Sequence, residues 1–298
     1  MYAPIIIFAF NRLEPLKRCV AALQENSESA ESDLIVYVDG ARPHKEGEAE
    51  KVKAVQEYVK SIPGFRNLTY TFSTDNKGLG PSIIAGVTEV IIKYGKVIVL
   101  EDDLVVVKGF LSYMNTMLDA YKDDNRIMQI SGFSTTHSVP KGYNYDIYLN
   151  RRGESWSWAT WADRWNTIDW EVRDYPELLK GKKQQNAFNE IGSDLFGMLR
   201  GYMEGHNKSW AVRFCYAMFK QRKYTVAPMK SLVQNEGFND DATNCKKSYN
   251  LYKYELNEEQ TLFQPVSNIQ YVKSIDKSAN RFWSIRYRVY GKIISFFY

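Results

Sequence analysis

Three consecutive carboxylates, Glu101, Asp102 and Asp103, follow the apolar run Val97-Ile98-Val99-Leu100, and Val105-Val106-Val107 comes soon after. Acids packed this closely at the end of a buried segment repel one another and resist desolvation unless positive charge meets them. A divalent cation with oxygen ligands is one answer, because Mg2+ and Mn2+ are commonly held by one or two carboxylates plus substrate phosphates. An acidic turn closing a core strand in solvent is the other.

The elements around this cluster argue for a site. Residues 97–100 form a β-branched run without alternation, which suits a strand buried on both faces. Pro4-Ile5-Ile6-Ile7-Phe8-Ala9-Phe10 is a second such run and ends at Asn11-Arg12. A helical stripe over Glu14–Gln24 follows, then a strand at Leu34–Val38 stopped by Asp39-Gly40. Glu46–Val59 reads as an amphipathic helix and Leu68–Phe72 as a strand. Asn76-Lys77-Gly78 leads into a helix from about Ser82 to Tyr94. Strands alternating with helices at this spacing predict a mostly parallel α/β sheet with right-handed crossovers, and ligands of such sheets sit outside the carboxyl ends of the strands. Asn11-Arg12, Asp39-Gly40, Asn76-Lys77-Gly78 and Glu101-Asp102-Asp103 all fall at those ends.

Beyond Gly109 the pattern predicts a helix to about Tyr121 and a strand over Ile127–Ser131. Residues 151–170 then hold five of the seven tryptophans. Trp158, Trp161 and Trp165 are spaced for one face of a helix and are read as core, whereas Glu154 and Trp156 precede that helix and are read as ligand-facing. Asp194–Met203 and Trp210–Lys220 read as helices, Tyr224–Val226 as a short strand, and Ser231–Cys245 as a polar loop. From Asn280 to Tyr298, Phe282, Ile285, Val289, Ile293 and Phe296 recur at helical spacing beside Arg281, Arg286, Arg288 and Lys292. A basic, aromatic amphipathic helix fits an anionic membrane interface; a terminal helix docked on the body fits the same pattern.

At 298 residues, 44% hydrophobic and 25% charged, the composition is that of a globular protein. A net charge of +4 gives no reason to expect a nucleic-acid partner. Cys19, Cys215 and Cys245 lie far apart without CxxC spacing, which argues for a reducing compartment and against a disulfide framework or zinc site. The opening residues lack a basic n-region, and no apolar stretch is long enough to span a bilayer. The expected location is cytoplasmic, with peripheral attachment to the inner face of the cell membrane through 280–298.

Taken together, the motifs resemble those of GT-A glycosyltransferases of the family 2 type. Glu101-Asp102-Asp103-Leu104 with Gly109-Phe110 resembles the metal motif of N-acetylglucosaminyltransferase I. Trp156-Ser157-Trp158-Ala159-Thr160-Trp161 resembles the W-G-W-A-T-W segment of bacterial sugar transferases in surface-polysaccharide clusters. Ser209–Phe214 and Ser231–Val233 with Asn235 and Gly237-Phe238 resemble the same group. The resemblance covers roughly residues 4–245. It implies a Rossmann-like fold with a nucleotide-sugar-binding half (1–145), an acceptor-binding half (146–265) and a C-terminal tail (266–298).

The resemblance implies that Asp103, with Asp102, binds Mn2+ or Mg2+ bridging the donor diphosphate. Asp102 would also approach the ribose and Glu101 the donor sugar. Asp39 would read a nucleobase, expected to be uracil, with Phe10 and Asn11 alongside. Arg12 and Lys77, with Asn76 and Gly78, would meet phosphate or ribose oxygens, and Trp156 would face the sugar. The acceptor would be a growing glycan or a lipid-linked oligosaccharide in surface polysaccharide or lipopolysaccharide assembly. The catalytic base is open. Related bacterial sequences often carry an Asp beside the residue matching Trp210, but Lys208, Ser209 and Ala211 stand here. Asp194, Glu154 and Asp241, with its neighbour Asp240, are the substitutes. Asp194 ranks first, although it also reads as a helix N-cap. Inverting transfer of a hexosyl or N-acetylhexosaminyl group is favoured over retaining transfer. Two other classes fit less well. A nucleotidyltransferase needs a glycine-rich loop after its first strand, and residues 10–15 hold no glycine. A glycan-binding relative without catalysis fits the missing acid but not the intact Glu-Asp-Asp.

Overall fold

The computed structural model describes residues 1–135, 138–237, 256–281 and 283–294. The chain builds an eight-stranded sheet. Its strands are β1 (Ile5–Ala9), β2 (Asp33–Val38), β3 (Asn67–Phe72), β4 (Lys96–Glu101), β6 (Ile127–Ser131), β7 (Ile147–Asn150), β8 (Trp158–Trp161) and β9 (Tyr224–Pro228), in the order β3-β2-β1-β4-β8-β6-β9-β7. Six strands point one way; β8 and β7 oppose their neighbours. The result is a mostly parallel, Rossmann-like sheet with helices on both faces. Two short strands, β5 (Leu104–Val106) and β10 (Val233–Asn235), make a separate antiparallel ribbon.

Alternate side chains of the central strands separate the two sides of the core. Ile5, Ile7, Leu34, Val36, Ile98 and Leu100 pack with α1 (Leu13–Gln24), α2 (Glu48–Val59) and α4 (Phe110–Tyr121). Ile6, Phe8, Ile35, Val97 and Val99 pack with α3 (Leu79–Tyr94) and α9 (Trp210–Gln221). Burial on both faces explains why β1 and β4 carry no polar alternation; each such aliphatic contributes about 1.5–3 kcal/mol by leaving water. Between β8 and α9 lie α5 (Ala162–Trp165), α6 (Tyr175–Lys180), α7 (Lys182–Asn189) and α8 (Leu195–Met203). The last three form a helical layer with its own core around Phe188, Leu195, Leu199 and Tyr216. Helices α10 (Lys273–Arg281) and α11 (Ile285–Ile294) complete the described chain.

Four expectations need correction. Trp158 and Trp161 do not lie on a helix: they begin and end β8, which is inserted antiparallel between β4 and β6 and buried on both faces. Trp158 packs on the α3–α9 side and Trp161 on the opposite side. Their core role stands, and Trp165 stacks on Trp158 with ring centroids 5.7 Å apart. Helix α3 starts at Leu79, before Ser82, because Gly78 at φ 79° turns the chain directly into it. Part of the expected loop after Ser231 is strand β10, held by pairing with β5. In the tail α10 already starts at Lys273, and a second helix, α11, starts at Ile285, in place of one helix from Asn280.

Candidate functional site

The carboxyl ends of β1, β2, β3 and β4 gather the four polar clusters at one edge, joined by hydrogen bonds. After β1, the Phe10 backbone N–H donates to Asp102 Oδ2 at 3.4 Å. Arg12, just ahead of α1, donates through Nη2 to Asp102 Oδ1 and lies 2.9 Å from Asp103 Oδ2. Positive charge was required beside the three acids, and the chain supplies some of it through Arg12. Burial alone would lower the Arg12 pKa, but the two aspartates more than offset it, so the guanidinium stays charged.

One guanidinium does not neutralise three carboxylates. Desolvation, reinforced by Asp103 and Asp102, raises the Glu101 pKa, with Arg12 opposing. Asp102 is raised by burial and held back by Arg12. The Asp103 Oδ1 atom is buried and has no hydrogen-bond partner among the described residues. A buried carboxylate oxygen without a donor is costly, and a divalent cation fits that vacancy in its bonding. Among the described residues no group of three or more His, Cys, Asp or Glu is arranged as a metal cage. Asp103 and Asp102 would be the residues to hold such an ion, and their oxygen donors suit Mg2+ or Mn2+.

The ribbon of β5 and β10 packs against the acid cluster. The Glu236 backbone N–H donates to the Asp103 carbonyl at 2.9 Å, and the Gly237 N–H to Asn235 Oδ1 at 2.7 Å. A Cβ on Gly237 would lie 2.0 Å from Asp103 Oδ2, so only glycine allows this approach. A cavity of about 400 Å³ opens here beside the start of α1, lined in part by Asn11, Arg12, Arg18, Lys51 and Gly237.

Asp39 is bonded to the turn that faces it. Its carboxylate accepts from Gly40 N, Lys77 N, Gly78 N and Asn76 Nδ2 at 2.8–3.1 Å. It fixes the Asn76–Gly78 turn onto the end of β2 and sets the entry to α3. The Lys77 side chain is exposed. Asn11 Nδ2 donates to the buried Glu48 Oε1 at 3.2 Å. Glu48 also accepts from Arg42 Nε at 2.9 Å, and Arg42 lies over the Phe10 ring, 5.5 Å from its centroid. Phe10, Asn11 and Arg42 are thereby joined into one rigid polar-aromatic corner, and Arg42 was missed because nothing in its local sequence marks it.

Glu154 and Trp156 precede β8, which runs antiparallel to β4 and so starts beside that strand's carboxyl half. The register pairs Trp158 with Val99, and Ser157, at φ 50°, turns the chain into the strand. The Glu154 main chain is clamped by Gln129, which donates to its carbonyl and accepts from its N–H, both at 2.8 Å. The Glu154 side chain is buried, and desolvation pushes its pKa up to about 8 against the opposing influence of Arg152 and Trp283. Trp156 packs edge-on to Phe133 at 4.7 Å and to Trp283 at 6.3 Å.

Asp194 precedes α8, but its side chain makes no cap hydrogen bond. It receives a bidentate pair from Arg152, at 2.9 and 3.1 Å, with both groups buried. That corrects the N-cap reading: both carboxylate oxygens accept from Arg152. Asp240 and Asp241 lie outside the described residues. Gln129, Arg152 and Trp283 escaped sequence reading because the partners that place them are 25 to 150 residues away.

No protein-family model and no curated protein matches the chain. Among solved structures, the chain is similar to the crystal structure of S. aureus TarS 1–349, with 11% identity and a TM-score of 0.46, covering 80% of this chain and 61% of that one. A second crystal structure of S. aureus TarS gives 10% identity and a TM-score of 0.43 over 78% of this chain and 36% of that one. The chain thus spans less than two thirds of either structure, and no step of the chemistry below rests on them.

Proposed function

We propose that this protein is a metal-dependent glycosyltransferase, moving a hexosyl or N-acetylhexosaminyl group from a UDP-linked donor to a glycan or lipid-linked oligosaccharide acceptor in surface-polysaccharide assembly. The observation that carries the reading is the buried Asp103 Oδ1, without a hydrogen-bond partner among the described residues, beside Arg12 at an edge where four strand ends converge. Departure of a nucleoside diphosphate builds negative charge on the leaving phosphates. A divalent ion, when bound at Asp103 and Asp102, supplies Lewis-acid stabilisation of that charge. Arg12, permanently charged, offers the same phosphates a forked donor. Phe10, Asn11 and Arg42 offer a flat apolar surface flanked by amide and guanidinium groups, suited to a nucleobase.

Glu154 replaces Asp194 as the preferred base. Its carboxylate, once ionised, can take the proton from an acceptor hydroxyl as that oxygen attacks the anomeric carbon, which is inverting chemistry. A pKa of about 8 makes it a strong base within the physiological range. Asp194 serves by pairing with Arg152, which would otherwise be an uncompensated buried cation. A glycan-binding role without catalysis is the second reading, favoured by the ion pairs that already occupy Arg12 and Asp194. A thermal-shift screen of nucleotide sugars with Mn2+ tests the proposal, because a ligand that binds only the folded state raises Tm. Stabilisation by a UDP-sugar only when Mn2+ is present is the expected result; no response to any nucleotide sugar contradicts it.

A further inference from the structure

We propose that α11 is the surface by which this protein lies on an anionic lipid bilayer, an inference independent of sugar transfer. Ile285, Val289 and Ile293 recur every fourth residue, so they form one stripe along the helix, and they are 55%, 50% and 54% exposed. Large aliphatics aligned this way on a short helix leave contiguous apolar surface in water, and such surface marks an interaction site.

Charge identifies the occupant. From Lys277 to Tyr298 the chain carries five Lys or Arg residues and no Asp or Glu. The Arg281 and Arg286 side chains are exposed. The last acid before this segment, Asp276, is fully buried and paired with Arg151 at 2.9 Å. A second copy of α11 would bring three like charges against three, with no acid on either helix to offset them. Anionic lipid headgroups offset them, while the apolar stripe enters the headgroup–acyl boundary.

The start of α11 is fixed to the body, so the stripe has a defined orientation. The Ile285 N–H donates to Ser193 Oγ at 3.0 Å, and the Arg152 guanidinium lies 4.7 Å over the Trp283 ring. Thr135 Oγ1 donates to the Ala279 carbonyl at 2.9 Å, securing α10. The bilayer face therefore adjoins the side of the molecule that holds Glu154 and Trp156, where a lipid-linked acceptor would enter.

Co-sedimentation of the full chain with phosphatidylcholine vesicles, and with vesicles containing added phosphatidylglycerol, tests the proposal. Roughly tenfold stronger partitioning onto the anionic vesicles is expected, given the number of basic residues. A variant combining Ile285→Ser, Val289→Ser and Ile293→Ser should lose binding to both. A variant combining Arg281→Glu and Arg286→Glu should lose the preference for phosphatidylglycerol and gives an independent reading should the first variant fold poorly. Equal partitioning of wild type onto both lipids, or unchanged anionic binding by both variants, overturns the proposal. Concentration-dependent self-association without vesicle binding, abolished by the serine variant, also overturns it and assigns the stripe to a second copy.

Discussion

Arg12 bridges Asp102 and Asp103: one guanidinium nitrogen donates to Asp102 Oδ1 and sits 2.9 Å from Asp103 Oδ2. It leaves Asp103 Oδ1 without a donor among the described residues. The site thus carries a resident cation and a remaining demand for positive charge.

Arg12→Ala removes that resident cation and leaves two buried carboxylates without it. Loss of one partner from a buried ion pair costs about 3–5 kcal/mol, so Tm should fall by about 10 °C. Adding Mn2+ should raise the Tm of the variant by more than that of wild type, because the metal then meets the larger uncompensated charge. Differential scanning fluorimetry with and without Mn2+ reads both effects; an equal Mn2+ response in the two proteins contradicts them.

Asp194→Ala separates a structural acid from a catalytic one. Arg152 would be left buried and unpaired, a cost of about 3–5 kcal/mol. Chemical denaturation should show that loss, and a double variant, Arg152→Met with Asp194→Leu, should recover most of it. A stable Asp194→Ala protein that is merely inactive would restore Asp194 as the candidate base.

Glu154 titrates near 8 in the folded chain against an ordinary value of 4.5. The folded state therefore holds this proton more tightly than the unfolded state does. Between those values the contribution of Glu154 to stability falls as pH rises, and above about 8 the buried charge is a full liability. Glu154→Gln cannot ionise, so its Tm should match wild type near pH 5 and exceed it by several degrees above pH 8. Transfer activity of wild type should rise with pH toward 8, and the Gln variant should lose it. Parallel Tm curves for the two proteins at every pH would contradict the buried carboxyl.

Gly237→Ala inserts a methyl group 2.0 Å from Asp103 Oδ2. Because the contact is at the edge of the site and not in either main core, Tm should change little. Metal-dependent nucleotide binding should weaken by about tenfold or more, because pushing on Oδ2 swings the whole Asp103 carboxylate, Oδ1 included, out of position. Calorimetry that finds unchanged affinity would remove the β5–β10 ribbon from the site.

The donor-side half of the fold was legible because its information is local. Ile5–Ala9 and Val97–Leu100 are β-branched and buried on both faces, and each ends abruptly in polar residues at the edge where they converge. Trp158 and Trp161 misled because a spacing of three fits one helical face, while a four-residue strand buried on both sides shows no alternation to oppose it. The Arg152–Asp194 pair and the Gln129–Glu154 clamp join residues 42 and 25 positions apart, which periodicity cannot reveal. Asp39 was correctly placed at a strand end, but the turn it holds, 37 to 39 residues further on, was not foreseen. The exposed side of α11 was visible as a stripe, whereas the placement of Trp283 against Trp156 and Arg152 was not.

The central claim is that Asp103 recruits a metal for a nucleoside diphosphate. Isothermal titration of UDP into the protein, with and without Mn2+, tests it on wild type and on Asp103→Asn, which keeps the shape of the side chain. The account predicts binding to wild type only with Mn2+, weakened at least tenfold by the substitution. Binding that is independent of Mn2+, or unchanged in Asp103→Asn, would contradict it.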